Sequence, residues 1–315
     1  MKTASQGRSL ARPCQESINS PLNQMKSPLL HRKTTSALGA ALCLFTAASS
    51  EAAIVANFTD GNGTDTVDQY IGIAGGGWAT DWSTNAEGLQ GATKTSTVVN
   101  TNPLNGGGNY LSTTVAGDGG QNSRATVSRT YDNAVVPLNA AHTISFDIRL
   151  DEANLANFTA TGDPSDYIQA FAHSANNQGE FSSGGTWLVR AVPNATGASW
   201  LLYAGNKNGT GGLVDSGVSF AANTVYRFVI SLDPVNREYN VSINGTYTSS
   251  TLGFRQNTTT ANPNLHFGAR TSAVGETRTF SLDNVNIAAV PEPSVAMLGG
   301  IGLLALLRRR RAAAV

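Results

Sequence analysis

Acidic residues are the first candidates for chemistry in this sequence, because hydrolysis of a glycosidic bond uses two carboxylates that line one groove. Asp151 and Glu152 are neighbours, so an extended chain would point them to opposite faces. Asp163 and Asp166 lie in a Gly/Pro stretch that is typical of a turn. We therefore expect these acids to be solvated loop residues, and we predict no catalytic residue.

Nucleophile and metal-ligand patterns are also absent from the sequence. Cys14 and Cys43 both precede residue 53, so the rest of the chain has no thiolate and no Cys-based zinc site. The later histidines lack the His-x-His or His-x-x-x-His spacing that zinc sites use. The sequence predicts no cofactor. The alternative is a structural Ca²⁺ ion that joins Asp283 to an acid near the start of the domain.

Trp78 and Trp82 are the candidate ligand-binding aromatics. They lie among glycines and polar residues, so we expect this pair to be exposed and able to stack on sugar rings. The alternative for each tryptophan is a place in the core, because an aromatic ring buries a large apolar area.

The distribution of charge excludes nucleic acid as a partner. The formal net charge is zero, but residues 53–290 carry 11 basic and 18 acidic side chains. Phosphate binding requires clustered Lys and Arg, so an acidic domain of this kind predicts no nucleic-acid binding.

Residues 1–52 have the pattern of a leader with a signal-peptide helix. Met25 is taken as the true start, because a basic segment follows it that contains Lys26, His31, Arg32 and Lys33. Residues 37–48 are apolar but too few to span a bilayer. Ser50 and Ala52 supply the small residues of a signal-peptidase site, so the mature chain should begin at Ala53. The alternative is an uncleaved N-terminal anchor.

Residues 290–315 combine three features of a sorting signal. Pro291, Glu292 and Pro293 favour an extended segment that a protease can reach. Residues 294–307 can form a transmembrane helix of about 21 Å, which is shorter than the ~30 Å hydrocarbon core and suits a transient anchor. A cluster of positive charge then holds the tail in the cytoplasm. It consists of Arg308, Arg309, Arg310 and Arg311.

This order of motif, apolar helix and arginine cluster resembles the PEP-CTERM sorting domain of Gram-negative bacteria. The resemblance implies processing by exosortase, a membrane transpeptidase that cuts near the motif. It also implies transient anchoring in the inner membrane by the C-terminal helix, followed by transfer to the cell surface or extracellular matrix. The alternative is a plain single-pass anchor with a coincidental Pro-Glu-Pro.

Residues 53–289 predict one all-β domain, because strand-length segments alternate with turn clusters. Residues 142–150, 224–233 and 237–243 alternate strictly between apolar and polar positions. Asn244-Gly245 predicts a two-residue type I′ turn. In the last strand the apolar positions change parity, which predicts a β-bulge at Asp283-Asn284.

The order of these last strands resembles the concanavalin-like, or laminin-G-like, jelly roll, an antiparallel β-sandwich. Many members of that fold bind carbohydrate, and some are glycoside hydrolases or lyases. With no catalytic pattern in the sequence, we favour a noncatalytic surface or matrix protein that binds polysaccharide or has a structural role. The alternative is a secreted polysaccharide-degrading enzyme with an unfamiliar active site.

Overall fold

Alternating apolar and polar residues form β-strands throughout the described part of the chain. The computed structural model describes residues 53–58, 76–85, 93–116, 123–153, 155–156, 158, 166–176, 178–194, 197–271 and 275–290. The chain divides into two compact units, Met1–Ser49 and Ser50–Val315, and all described residues belong to the second. These described residues contain sixteen strands and no helix.

The first eight strands are β1 (Ala53–Ala56), β2 (Ser83–Asn85), β3 (Thr93–Val99), β4 (Tyr110–Ala116), β5 (Ser123–Thr130), β6 (His142–Leu150), β7 (Tyr167–His173) and β8 (Gly185–Asn194). The others are β9 (Gly197–Gly205), β10 (Gly211–Ser219), β11 (Tyr226–Asp233), β12 (Glu238–Ile243), β13 (Tyr247–Thr248), β14 (Leu252–Gly253), β15 (Asn264–Thr271) and β16 (Thr277–Ala289).

Two antiparallel sheets make a sandwich. Sheet I has the order β13-β12-β11-β6-β16-β4-β3, with β1 paired to β16 and β14 paired to β12. Sheet II has the order β10-β9-β8-β7-β15-β5-β2. The predicted all-β antiparallel sandwich is therefore confirmed.

The core lies between the two sheets and is rich in aromatic rings. Phe146 of sheet I is central: its ring centroid lies 5.2 Å from that of Phe228, 6.2 Å from Trp187 and 5.1 Å from Phe267. All four side chains are fully buried. Burial of each ring contributes about 1.5–3 kcal/mol relative to exposure, so this cluster is a main source of stability.

The predicted alternation is confirmed in β6, β11 and β12. The apolar residues of each strand are buried in the core between the sheets, whereas the intervening residues face outward. The core-facing residues are Ile144, Phe146, Ile148 and Leu150 in β6, Tyr226, Phe228, Ile230 and Leu232 in β11, and Tyr239, Val241 and Ile243 in β12.

The predicted bulge in β16 is also confirmed. Asp283 pairs with Asp147 and Asn286 with Ser145, so β16 has one residue more than β6 between these pairs. Asn284 has a φ of 52°, a left-handed conformation that Asn tolerates better than most residues. The extra residue explains why Phe280 and Leu282 reach the same core as Val285 and Ile287 despite their opposite parity.

The turn after β12 has the predicted conformation with one added residue. Asn244 and Gly245 have φ values of 54° and 68°, as a type I′ turn requires. The Thr246 N–H donates to the Ile243 carbonyl at 3.2 Å, and strand pairing resumes between Ile243 and Tyr247. Thr246 therefore extends the predicted two-residue loop to three residues.

The predicted signal-peptide helix and C-terminal transmembrane helix lie outside the described residues. The part of the chain that the structure describes contains no helix of the length and apolarity that a bilayer span needs.

Candidate functional site

An open groove of about 540 Å³ lies on the outer face of sheet I. The alternation of β11 places Arg227 and Val229 on this face, because Phe228 and Ile230 point into the core. β12 adds Ser242, and the turn that follows it closes one end. The lining residues are Asn105, Val225, Arg227, Val229, Ser242, Asn244 and Gly245.

A row of charged side chains on neighbouring strands supports the groove. Arg227, Asp147 and Asp283 are directly opposite one another across β11, β6 and β16. The Arg227 guanidinium donates to the Asp147 carboxylate at 3.1 Å, while 43% of the Arg227 side chain stays exposed. The Asn284 side-chain amide donates to Asp147 at 2.9 Å and to the Asn105 carbonyl at 3.1 Å. Buried Asp147 therefore holds the half-exposed guanidinium directly and the Asn105 loop through Asn284.

Among the described residues, the acidic neighbour of Asp283, the candidate Ca²⁺ ligand, is Asp147. β1 pairs with the same strand, but residues 53–58 contain no acidic residue. Burial, followed by the nearby Asp147 charge, raises the pKa of Asp283 to about 7, although the Asn284 N–H opposes this shift. Within the described residues, no three His, Cys, Asp or Glu side chains converge as metal ligands. The Ca²⁺ alternative stays a prediction.

The expected exposed tryptophan pair is wrong for Trp82. Trp82 is 2% exposed, and its ring lies 5.7 Å from Phe58 and 6.3 Å from Phe267, so it belongs to the core. Trp78 is half-buried, and its Nε1–H donates to the Val55 carbonyl at 3.1 Å. Burial of the large apolar Trp82 ring determines its position, although its neighbours in sequence are polar. This agrees with the alternative of a place in the core. The two rings do not form a stacking platform.

The expectation of solvated loop acids is also wrong where the structure describes them. Asp166 is fully buried and accepts from Arg278 at 2.9 Å, and Glu152 accepts from the same guanidinium at 3.2 Å. Asp151 accepts from the Ser281 hydroxyl. The buried cation of Arg278 explains this arrangement, because a charge removed from water needs counterions. Asp163 lies outside the described residues.

Two of these acids, Asp151 and Glu152, line a second cleft of about 450 Å³. Its walls include Asp151, Glu152, Glu276 and Arg278. Burial raises the pKa of Glu152, and the Arg278 charge opposes that shift. The cleft thus combines several carboxylates with a fixed cation, and at least one of the carboxylates is more easily protonated than usual.

Sequence reasoning missed the groove residues as a site. Arg227, Ser242 and Asn244 were assigned to strands or a turn, and Asn105 was not singled out. The alternation of β11 in the sequence already predicts that Arg227 lies on the outer face. Its pairing with Asp147 could not be predicted in this way, because it depends on which strands are neighbours in the sheet.

The sorting and processing residues all lie outside the described residues, where no geometry tests them. They are the signal-peptidase residues Ser50 and Ala52, the motif residues Pro291, Glu292 and Pro293, and the stop residues Arg308, Arg309, Arg310 and Arg311.

Comparison of the sequence with family models gives one decisive match. Residues 289–311 match the PEP-CTERM protein-sorting motif. The chain carries a PEP-CTERM sorting motif. The PEP-CTERM motif implies processing by exosortase, export, and placement at the cell surface or outside the cell in a Gram-negative bacterium. The match begins at Ala289, the last residue of β16, so the motif begins where the described sandwich ends.

Similarity to solved structures is limited to the fold. One match is a sialidase, at 13% identity and a TM-score of 0.42, covering 66% of this chain and 17% of that chain. Another is the receptor binding domain of botulinum neurotoxin C/D mosaic serotype, at 12% identity and a TM-score of 0.42, covering 79% of this chain and 50% of that chain. No curated protein matches the sequence.

Proposed function

We propose that this protein is an exosortase-processed surface or matrix protein whose sandwich binds polysaccharide and catalyses no reaction on it. The sorting motif supports its delivery to the cell surface. In this proposal the sandwich is of the concanavalin-like jelly-roll type, exopolysaccharide is its partner, and the C-terminal helix anchors the chain in the inner membrane only until exosortase removes it.

The observation that carries the binding proposal is the groove on the outer face of sheet I. Amide, hydroxyl and guanidinium groups line it, and these can donate to or accept from sugar hydroxyls. Val225 and Val229 add an apolar surface for the C–H face of a sugar ring. Its volume of about 540 Å³ suits a small number of sugar units. Asp147 fixes the guanidinium, which lowers the entropy lost on binding.

Binding of the mature domain to a panel of neutral and acidic polysaccharides tests this proposal. The variant Val229→Trp fills the groove and should abolish retention on the bound glycan. Ser231→Trp is the matched control, because Ser231 is exposed on the same face of β11 two positions away. A folded wild-type domain that binds no glycan, or equal effects of the two variants, would contradict the proposal.

Glycoside hydrolysis is a second candidate, and the acidic cleft is the observation that favours it. Glu152, with its raised pKa, is the candidate general acid, and Asp151 or Glu276 would be the second carboxylate. It ranks second because each of these acids is already bonded to a buried arginine or to Ser281. Release of reducing sugar from the same panel, lost in Glu152→Gln, would support hydrolysis. No release from any substrate would eliminate it.

A further inference from the structure

The outer face of sheet II gathers three arginines at one end. Tyr167, Arg270 and Arg124 lie directly opposite one another on β7, β15 and β5. In the next row, Gln169 of β7 lies opposite Arg190 of β8. The side chains of this face point away from the sandwich core, whose residues on the same strands have the other parity.

Two guanidinium groups contact the Tyr167 ring. The Arg190 guanidinium carbon lies 4.4 Å from the ring centroid, and that of Arg270 lies 5.8 Å from it. Both arginines are at least nine-tenths buried, with 7% and 2% exposure. The face of the aromatic ring attracts each cation electrostatically. The ring therefore holds both guanidinium groups close to each other.

Two buried polar groups of this cluster can still donate a hydrogen bond. Arg190 donates twice to the Gln169 side-chain oxygen, at 3.0 and 2.7 Å. Among the described residues, the buried Tyr167 hydroxyl and the buried Arg270 Nε have no hydrogen-bond partner. Buried polar groups are ordinarily paired, and an unpaired one costs about 1–3 kcal/mol. The missing partner is therefore an acceptor.

The charges of the cluster lead to the same conclusion. Glu180 is the carboxylate that pairs with it in the described residues, and it accepts from Arg124 at 2.6 Å. Burial lowers the pKa of Arg190, and the charges of Arg270 and Arg124 lower it further, while Glu180 opposes the shift. Three gathered cations repel one another, and this arrangement is costly without added negative charge. Three arginines at one place are a large share of the basic residues in a domain with 11 basic and 18 acidic side chains.

We propose that this arginine cluster, formed by Arg124, Arg190, Arg270 and Tyr167, binds the carboxylate of a uronate unit in an acidic polysaccharide. This inference goes beyond the groove of sheet I, because it adds a second site, on the other sheet, for an acidic polysaccharide. A carboxylate has only acceptors, and the planar guanidinium fork suits it. Glu180 already supplies one carboxylate to the cluster, through its ion pair with Arg124. The Glu180 side chain is 35% exposed and that of Arg124 is 20% exposed, so Arg124 is the member of the cluster that meets solvent, beside β5.

Calorimetric titration with oligogalacturonate tests the ligand class, and its fully methyl-esterified form is the matched neutral ligand. We expect the acid form to bind and the ester to bind at least about tenfold more weakly, because one charge-assisted hydrogen bond contributes that much. A sulfated oligosaccharide distinguishes the two common acidic groups. Tighter binding of the sulfated sugar would overturn the assignment to carboxylate.

Three variants connect this binding to the cluster. Tyr167→Phe removes only a hydroxyl without a partner, so it should weaken acid binding about tenfold without lowering Tm. Arg270→Gln should weaken it at least as much. Glu180→Gln should tighten it severalfold, because the competing carboxylate becomes neutral. Arg237→Gln is the control for charge, because Arg237 precedes β12 in sheet I, and it should leave acid binding unchanged.

Failure of this inference is separable from failure of the proposed function. Equal binding of the acid and ester forms, unaffected by the variants, would overturn the arginine cluster and leave polysaccharide binding intact. Stabilisation by free galacturonate that is lost in Tyr167→Phe, with no polysaccharide bound, would support the cluster and overturn the proposed function. Equal responses of Arg270→Gln and Arg237→Gln would also overturn the cluster.

Discussion

Asp283 makes the stability of the domain depend on pH. Its carboxyl ionises near pH 4 in an unfolded chain and near pH 7 in the folded protein, because burial penalises the charged form. Between these values the folded protein keeps a proton that the unfolded chain has lost. The free energy of unfolding contributed by this group therefore falls as pH rises from about 4 to about 7.

We expect Asp283→Asn to remove this dependence. The variant should match the wild type near pH 4 and be more stable above pH 7, by at most about 4 kcal/mol. Urea unfolding at a series of pH values measures the difference. Asp81→Asn is the control, because Asp81 is exposed and its replacement should leave the profile unchanged. Parallel profiles for Asp283→Asn and the wild type would show that Asp283 titrates normally.

Phe146 and Arg149 test the two faces of β6. Phe146→Asp puts an unpaired charge among buried aromatic rings, which costs several kcal/mol, and we expect loss of folding. Arg149→Ala should cost well under half as much. Arg149 is 4% exposed, bonds to Asp151 and lies 5.5 Å from the Tyr110 ring, so the cost should still be about 1–3 kcal/mol. Equal losses by thermal unfolding would mean that the two faces are wrongly assigned.

At the scale of elements, the turn between β12 and β13 depends on glycine for its backbone. Gly245 has a φ of 68°, and an added Cβ would meet no atom within 4 Å. Gly245→Ala should therefore destabilise through backbone strain alone, by about 1 kcal/mol. Gly212→Ala is the control, since it also meets no atom but lacks a positive φ. Denaturant midpoints compare the two, and an unchanged Gly245→Ala midpoint would contradict the strain argument.

Local patterns predicted the elements well, because periodicity and turn chemistry act between near neighbours in sequence. The strand faces of β6, β11 and β12 and the bulge at Asp283-Asn284 were all readable in this way. The groove on sheet I could not be predicted from the sequence, because it depends on contacts between neighbouring strands. The row from Arg227 to Asp283 joins three strands that are distant in sequence.

Burial was misjudged for the same reason. Asp166 looked like a solvated turn residue, yet it is buried against Arg278, a residue near the other end of the domain. Nothing within a few positions of either residue indicates this ion pair. The arginine cluster on sheet II could not be predicted either, because Arg124, Arg190 and Arg270 lie on three separate strands that are distant in sequence.

At the scale of the whole molecule, the processing motif should act independently of the sandwich. Glu292 supplies the one charge between Asp283 and Arg308, so a processing enzyme can read it as a single carboxylate between two prolines. Glu292→Ala should leave folding and export unchanged but impair removal of the tail. An uncleaved, heavier form should then accumulate in the membrane fraction, as detected by immunoblotting.

Replacing Arg308, Arg309, Arg310 and Arg311 together with Ala is the companion variant. The short apolar segment should then slip through the bilayer, so unprocessed protein should appear in the medium. Normal cleavage and localisation of the Glu292 variant would mean that the Pro-Glu-Pro is coincidental and that the tail is a plain anchor.

The position of β16 determines how the domain responds to tension on its C-terminal tail. β16 leads into the sorting motif, and it is bonded along one edge to β6 and along the other to β4 and β1. Hydrogen bonds in such ladders run perpendicular to the strands. A pull along β16 therefore shears both ladders at once and cannot peel them apart one bond at a time. A cell-surface domain held by this end should withstand drag from flow or from an attached matrix without unfolding.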